Sequence, residues 1–185
     1  MKTCIVVDDV YAFIDGSMAC QNGSRSVLES IRYINSQKDL DQVVYVQEYH
    51  PKNHCSFLDQ GGIWPPHGIG GTRESEIAQE FYLQIQQEKF RPGEENIFRK
   101  GENPLVEEYS GYLAKNTNGC LLKDRIGKET VVCGIATEYC VKQTVLDLLD
   151  GGFQVSVLEK GLAYIDEEGH KKTLEELKQK GVIIL

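Results

Sequence analysis

Short apolar runs rich in β-branched residues recur along the chain, and each is separated from the next by a segment of helical periodicity. The runs are Cys4–Val7, Val43–Val46, Val131–Ile135 and Val155–Leu158, and Val182–Leu185 closes the chain. Runs that stay apolar without alternating suit strands buried on both faces, as in a parallel sheet. Between them, Ser26-x-x-Glu29 has the form of a capping box and opens a segment with Val27, Ile31 and Ile34 on one face. Thr137 is placed to cap a helix carrying Val141, Val145, Leu148 and Leu149 and stopping at Gly151-Gly152. Leu174 and Leu177 share one face of a last helix that stops at Gly181. This alternation predicts an α/β fold, a doubly wound three-layer sandwich with a mostly parallel central sheet. The chain of 185 residues fits one such domain, 1–185.

Composition narrows the function. Lys and Arg number 20 against 28 Asp and Glu, a formal charge of −8 with no basic run. Nucleic-acid affinity rests largely on neutralising phosphates, so a nucleic-acid partner is not expected. No apolar stretch approaches the ~20 residues of a membrane span, and Met1-Lys2 leads straight into the first apolar run without a signal peptide's apolar region. The six cysteines are scattered without a Cys-x-x-Cys pair. They read as free thiols of a cytoplasmic protein, most of them buried.

In open α/β sheets, ligands bind beyond the carboxyl ends of the strands. The first strand delivers Asp8 and Asp9 there, and the second delivers Glu48 and then His50. The third long run leads through a turn to Cys140. A cysteine at a helix start gains thiolate character from the helix dipole, and free N–H groups of that turn can hold an oxyanion. Three of the four histidines, His50, His54 and His67, fall in one irregular segment around Pro51–Gly71. A loop of that length in a compact domain is usually functional. Carboxylate with imidazole suits a transition-metal ion. His170 lies in a polar helical segment and reads as a surface residue, and Lys100 by itself reads as a solvated charge.

Six segments, in order, carry a resemblance: Val6-Val7-Asp8-Asp9-Val10-Tyr11-Ala12-Phe13, Glu48-Tyr49-His50, Trp64-Pro65-Pro66-His67, Phe98-Arg99-Lys100-Gly101, Tyr109-Ser110-Gly111, and Gly134-Ile135-Ala136-Thr137-Glu138-Tyr139-Cys140-Val141. Together they resemble the nicotinamidase branch of the isochorismatase-like cysteine hydrolases. The resemblance implies a triad of Asp8, Lys100 and Cys140, with Asp8 rather than Asp9 because the family's aspartate stands five residues before Phe13. It implies an oxyanion hole from the Ala136 and Cys140 amides, with a cis peptide between Ile135 and Ala136. Phe13, Trp64 and Tyr109 would wall a pocket for a flat ring. One divalent metal, zinc ahead of iron or manganese, would sit on Glu48, His50 and His67, with His54 left open as a fourth ligand.

The reaction so implied is metal-dependent hydrolysis of nicotinamide to nicotinate and ammonia through a cysteine thioester. The partner is a small-molecule amide, with no nucleic acid or membrane, and a homo-oligomer stays open. Glu48 stands where the family usually has aspartate, Val10 where it usually has glutamine, and Gly68 where it often has cysteine. Alternatives are another small amide, such as a carbamoyl compound or maleamate, an isochorismatase-type vinyl ether, and a non-enzymatic binding module.

Overall fold

A computed structural model describes all residues from Met1 to Leu185. Six strands form one sheet: β1 (Lys2–Val7), β2 (Gln42–Glu48), β3 (Ile97–Lys100), β4 (Glu129–Gly134), β5 (Gln154–Leu162) and β6 (Ile183–Ile184). Their order is β3-β2-β1-β4-β5-β6, and every pairing is parallel. The chain winds outward from β1 to β3 on one side, then crosses to β4 and continues to β6. The direction therefore reverses between β1 and β4, the position where such sheets open a crevice.

Alternate strand residues feed two cores. Cys4, Val6, Val43, Tyr45, Val131 and Cys133 pack with Val27, Ile31 and Ile34 of α2 (Gly23–Ser36) and with Phe81 of α3 (Gln79–Gln84). Ile5, Val7, Val44, Val46 and Val132 face the other way, onto Val145 and Leu148 of α4 (Lys142–Asp150) and Leu174 and Leu177 of α5 (Glu167–Gln179). A short helix α1 (Tyr11–Ile14) follows β1 and buries Ala12 and Phe13. Both sheet faces are covered, which is why the strand runs carry no polar alternation. No helix is long and apolar enough to cross a membrane.

Several local expectations are corrected. The helix expected to open at Ser26 starts three residues earlier, at Gly23 after Asn22. The Ser26 hydroxyl makes no cap; it donates to Asp9 Oδ1 at 2.9 Å, because α2 packs over the end of β1. Thr137 is not a cap either. Its hydroxyl donates to the Ala163 carbonyl at 3.0 Å, and Thr137–Val141 form a π-helical turn leading into α4. His170 is buried rather than superficial: its Nδ1 lies 3.0 Å from Thr137 Oγ1, and its ring stacks on Tyr164 at 4.4 Å. The closing strand shrinks to Ile183–Ile184 at the sheet edge. The six cysteines are unpaired, but only Cys4, Cys133 and Cys140 are buried.

Candidate active site

β1, β2, β3 and the turn after β4 converge on one buried cluster. Asp8 follows β1 with φ 51°, a left-handed conformation that an aspartate tolerates better than most residues. Its N–H donates to the Val46 carbonyl of β2, and its carbonyl accepts from Val10 at 2.7 Å. Asp8 is fully buried, and its Oδ2 lies 3.0 Å from Lys100 Nζ. Asp9 turns the opposite way, toward Ser26 of α2.

Lys100 ends β3, directly across from Glu48 in the parallel register of β2 and β3. Its ammonium donates to Glu48 Oε1 at 2.7 Å and reaches Cys140 Sγ at 3.5 Å. Burial opposes the charge, but Asp8, Cys140 and Glu48 outweigh it and hold the ammonium protonated well above the ordinary lysine range. Burial pushes Asp8 up to about 6, with Lys100 pulling it down and Glu48 adding to the rise.

Cys140 sits in the π-helical turn, 5% exposed. Burial pushes its thiol well above the ordinary range; Lys100 lowers it, and the Asp8 and Glu48 carboxylates raise it further. At this helix start, desolvation and two nearby carboxylates oppose the dipole and the ammonium. Asp8, Glu48 and Cys140 present side-chain atoms that all lie within 4.8 Å of one another.

The Ile135–Ala136 peptide is cis. The Ala136 carbonyl accepts from Tyr139 and Val141, each at 3.1 Å, while its own N–H donates to no group of the chain. Gly134, at the end of β4, has φ 119°, and a Cβ there would lie 2.0 Å from the Val7 carbonyl oxygen. Only glycine lets β4 approach β1 this closely before the turn.

Glu48, His50 and His67 form a second, overlapping cluster, with ligand-type atoms within 4.8 Å of one another. Backbone pairing of His50 with Gly68 and Gly70 carries His67 alongside. Nδ1 of His50 donates to the Gly101 carbonyl at 2.9 Å, and Nδ1 of His67 donates to the Pro65 carbonyl at 2.7 Å. Both rings thereby aim Nε2 at the same carboxylate, His50 at 3.3 Å from Oε1 and His67 at 3.4 Å from Oε2. Gly101 has φ 74°, and a Cβ there would meet His50 Cε1 at 2.4 Å, so a glycine is needed to seat that ring.

Burial opposes charge on both Glu48 and His67. The ammonium and the imidazoles nevertheless hold Glu48 well below the carboxylate range, and Glu48 lifts His67.

These residues fit a divalent cation. His50 Nε2 is buried, has no hydrogen-bond partner and faces a carboxylate oxygen. Two carboxylates share one ammonium, which leaves negative charge in a buried site. Imidazoles whose far nitrogen is fixed by a carbonyl are the usual form of metal-ligating histidine, and a carboxylate with two imidazoles suits zinc. His54 is not brought to this cluster. Its ring stacks on His50 at 3.8 Å, but its nitrogens are taken by the Ser56 hydroxyl at 2.7 Å and the Val106 carbonyl at 3.1 Å. Burial and His50 push it down to about 4, so it stays neutral.

A narrow, mostly apolar pocket opens over Cys140, lined by Phe13, Trp64 and Tyr109 together with Met18, Glu107, Tyr139 and Ile165. Trp64 Nε1 donates to Tyr109 Oη at 3.0 Å, and the Trp64 ring meets Tyr139 edge-on at 5.2 Å. Tyr139 was legible as the neighbour of Cys140 but carried no spacing signal for the pocket. Met18, Glu107 and Ile165 come from loops that no periodicity marks.

A thiol, a carboxylate and an ammonium at the switch point of a doubly wound sheet, under an aromatic pocket, define an enzyme of the hydrolytic α/β class. Residues 2–185 match the isochorismatase domain, and the chain belongs to that family. It is 34% identical over 162 residues to a nicotinamidase of Escherichia coli, an alignment covering 79% of this chain and 75% of that one. Among solved structures it resembles a pyrazinamidase of Pyrococcus horikoshii in complex with zinc, at 31% identity and a TM-score of 0.83, covering 100% of this chain and 98% of the other. A protein of L. infantum in complex with nicotinate matches at 29% identity and a TM-score of 0.83, covering 100% and 92%.

Proposed function

We propose that the protein is a metal-dependent cysteine amidase that hydrolyses nicotinamide to nicotinate and ammonia. The observation that carries this reading is the position of Lys100, whose single ammonium contacts Asp8, Glu48 and Cys140 at the floor of an aromatic pocket. The nicotinamidase of E. coli and the nicotinate complex of the L. infantum protein support the choice of ring.

The chemistry follows from the groups present. Asp8 takes the Cys140 proton as the sulfur attacks the carboxamide carbon, a role suited to a thiol whose pKa burial raises. The Ala136 and Cys140 N–H groups hold the oxyanion. Asp8 then gives its proton to the departing amine, releasing ammonia and leaving a thioester on Cys140. Asp8 next takes a proton from the water that attacks the thioester, and returns it to the leaving sulfur. Lys100 keeps Asp8 and the developing thiolate charged in a buried site. Phe13, Trp64 and Tyr109 flank the ring. Glu48, His50 and His67 would hold one divalent ion, zinc ahead of iron or manganese, which when bound supplies a Lewis acid for the ring nitrogen. We take the reaction to be cytoplasmic, a reading that six unpaired cysteines support.

The test is ammonia release from a panel of amides, with and without added zinc, iron or manganese. Nicotinamide and pyrazinamide are expected to turn over in the metal-loaded protein. Turnover of maleamate or a carbamoyl compound in their place would overturn the substrate assignment.

A further inference from the structure

The loop after β3 carries one group that the mechanism leaves unused. Glu107 lines the pocket over Cys140 and also the outer polar cleft formed with Arg99, Lys100, Tyr109 and Ser110, so it stands where the two meet. It is the one carboxylate of the pocket lining besides Glu48. The loop is pinned on both sides of it: before it the Val106 carbonyl accepts from His54 Nε2 at 3.1 Å, and two contacts follow it. Glu108 Oε2 accepts from Gly101 N–H at 2.9 Å, and Gly111 N–H donates to Thr144 Oγ1 at 2.9 Å, with Thr144 in turn donating to the Cys140 carbonyl. Glu107 is thus held at the rim, and its side chain keeps solvent contact. Partial burial raises its pKa, with Glu48 adding to the rise and His50, Lys100 and His67 opposing it.

We propose that Glu107 is a specificity-determining residue that disfavours anionic ligands in this pocket and thereby favours release of the carboxylate product over retention. The inference rests on the reading of the pocket as one for a pyridine carboxamide. The substrate of that reaction is neutral and the product is an anion of nearly the same shape. Contacts to the ring cannot tell the two apart, and Lys100 together with a bound cation would favour the anion. A fixed negative charge at the rim acts in the opposite direction and only on the product. Solvent at the rim screens it, so the effect is a modest factor rather than a block.

The test uses zinc-loaded protein and two ligands that are not hydrolysed: nicotinate, an anion, and pyridin-3-ylmethanol, its neutral counterpart. Trp64, the single tryptophan, lines the pocket and reports binding through its fluorescence. Glu107→Gln should raise the affinity for nicotinate relative to pyridin-3-ylmethanol by roughly three- to tenfold, and high salt should shrink that gain. Glu107→Asp, which keeps the charge, should leave the ratio within about twofold of the parent. An unchanged ratio in Glu107→Gln, or an equal rise in Glu107→Asp, would overturn the proposal. Ammonia release from nicotinamide by the same preparation judges the reaction itself. If it fails while the affinity ratio shifts, the amidase reading falls and the charge effect stands.

Discussion

Lys100 Nζ lies 2.7 Å from Glu48 Oε1, so the ammonium that holds Asp8 and Cys140 also holds the carboxylate shared by His50 and His67. The contact joins the acid–base cluster and the metal-type cluster into one buried charge network. It follows from backbone register, since Glu48 and Lys100 are direct partners at the ends of β2 and β3.

Removing that ammonium should therefore damage both clusters at once. Lys100→Met leaves Asp8 and Glu48 buried without a counter-charge, and breaking a buried pair in this way costs about 3–5 kcal/mol. Urea denaturation of the metal-free variant should show a loss of that order, and turnover should vanish. A variant as stable as the parent would mean that the network contributes nothing to the fold.

Loss of a histidine ligand should separate metal binding from folding. His50→Ala is expected to lower bound zinc well below the parent by elemental analysis and to reduce turnover, while the sheet persists. In the parent, zinc at a hundred times its dissociation constant should add about 2.7 kcal/mol to stability, and the variant should gain far less. Equal zinc-induced stabilisation of the two proteins would remove His50 from the ligand set.

The pH dependence of kcat/KM should carry the signature of Asp8. Only the carboxylate can accept the thiol proton, and burial raises its pKa to about 6. Activity should therefore climb with pH through about 6, rather than through the ordinary aspartate range near about 4. An acid limb near about 4 would show that burial does not raise the pKa of the base.

Asp9 offers a test of stability rather than catalysis. Its side chain is buried with one hydrogen bond, from Ser26, and burial raises its pKa well above the ordinary range. The folded state thus retains a proton that the unfolded chain releases near about pH 4, so this residue's contribution falls as pH rises from there to its folded pKa. Asp9→Asn should flatten that part of the stability profile. Parallel urea midpoints for the two proteins across that range would contradict it.

Ring recognition can be probed by deleting the ring nitrogen. Benzamide has the outline of nicotinamide but offers no lone pair to a Lewis acid. The specificity constant for nicotinamide should exceed that for benzamide by roughly a hundredfold or more. Comparable values would show that the Glu48, His50 and His67 site does not read the ring.

The strands buried on both faces were legible because burial leaves an uninterrupted apolar run. β3 was not: Ile97-Phe98-Arg99-Lys100 is short, lies at the sheet edge and buries only Phe98 and Lys100. Lys100 by itself therefore read as a solvated charge, and only its place in a familiar motif drew attention to it. Asp8, Glu48 and Cys140 were legible as groups delivered to one edge of the sheet, and the triad of Asp8, Lys100 and Cys140 through the resemblance. The contact of Lys100 with Glu48 was not legible, because it depends on the register of β2 against β3. Ser26 and Thr137 misled for a common reason: tertiary partners, Asp9 and Ala163, took the hydroxyls that local pattern assigns to helix caps. His170 misled because a polar helix can still bury one residue against the turn that carries Cys140.

The central claim is that Cys140 is the nucleophile, and turnover of nicotinamide by zinc-loaded Cys140→Ala tests it most directly. The account predicts that kcat/KM falls by about 10⁴ or more, with zinc content and nicotinate-induced quenching of Trp64 fluorescence both retained. Turnover near the parent rate in a variant that binds zinc and nicotinate normally would contradict it.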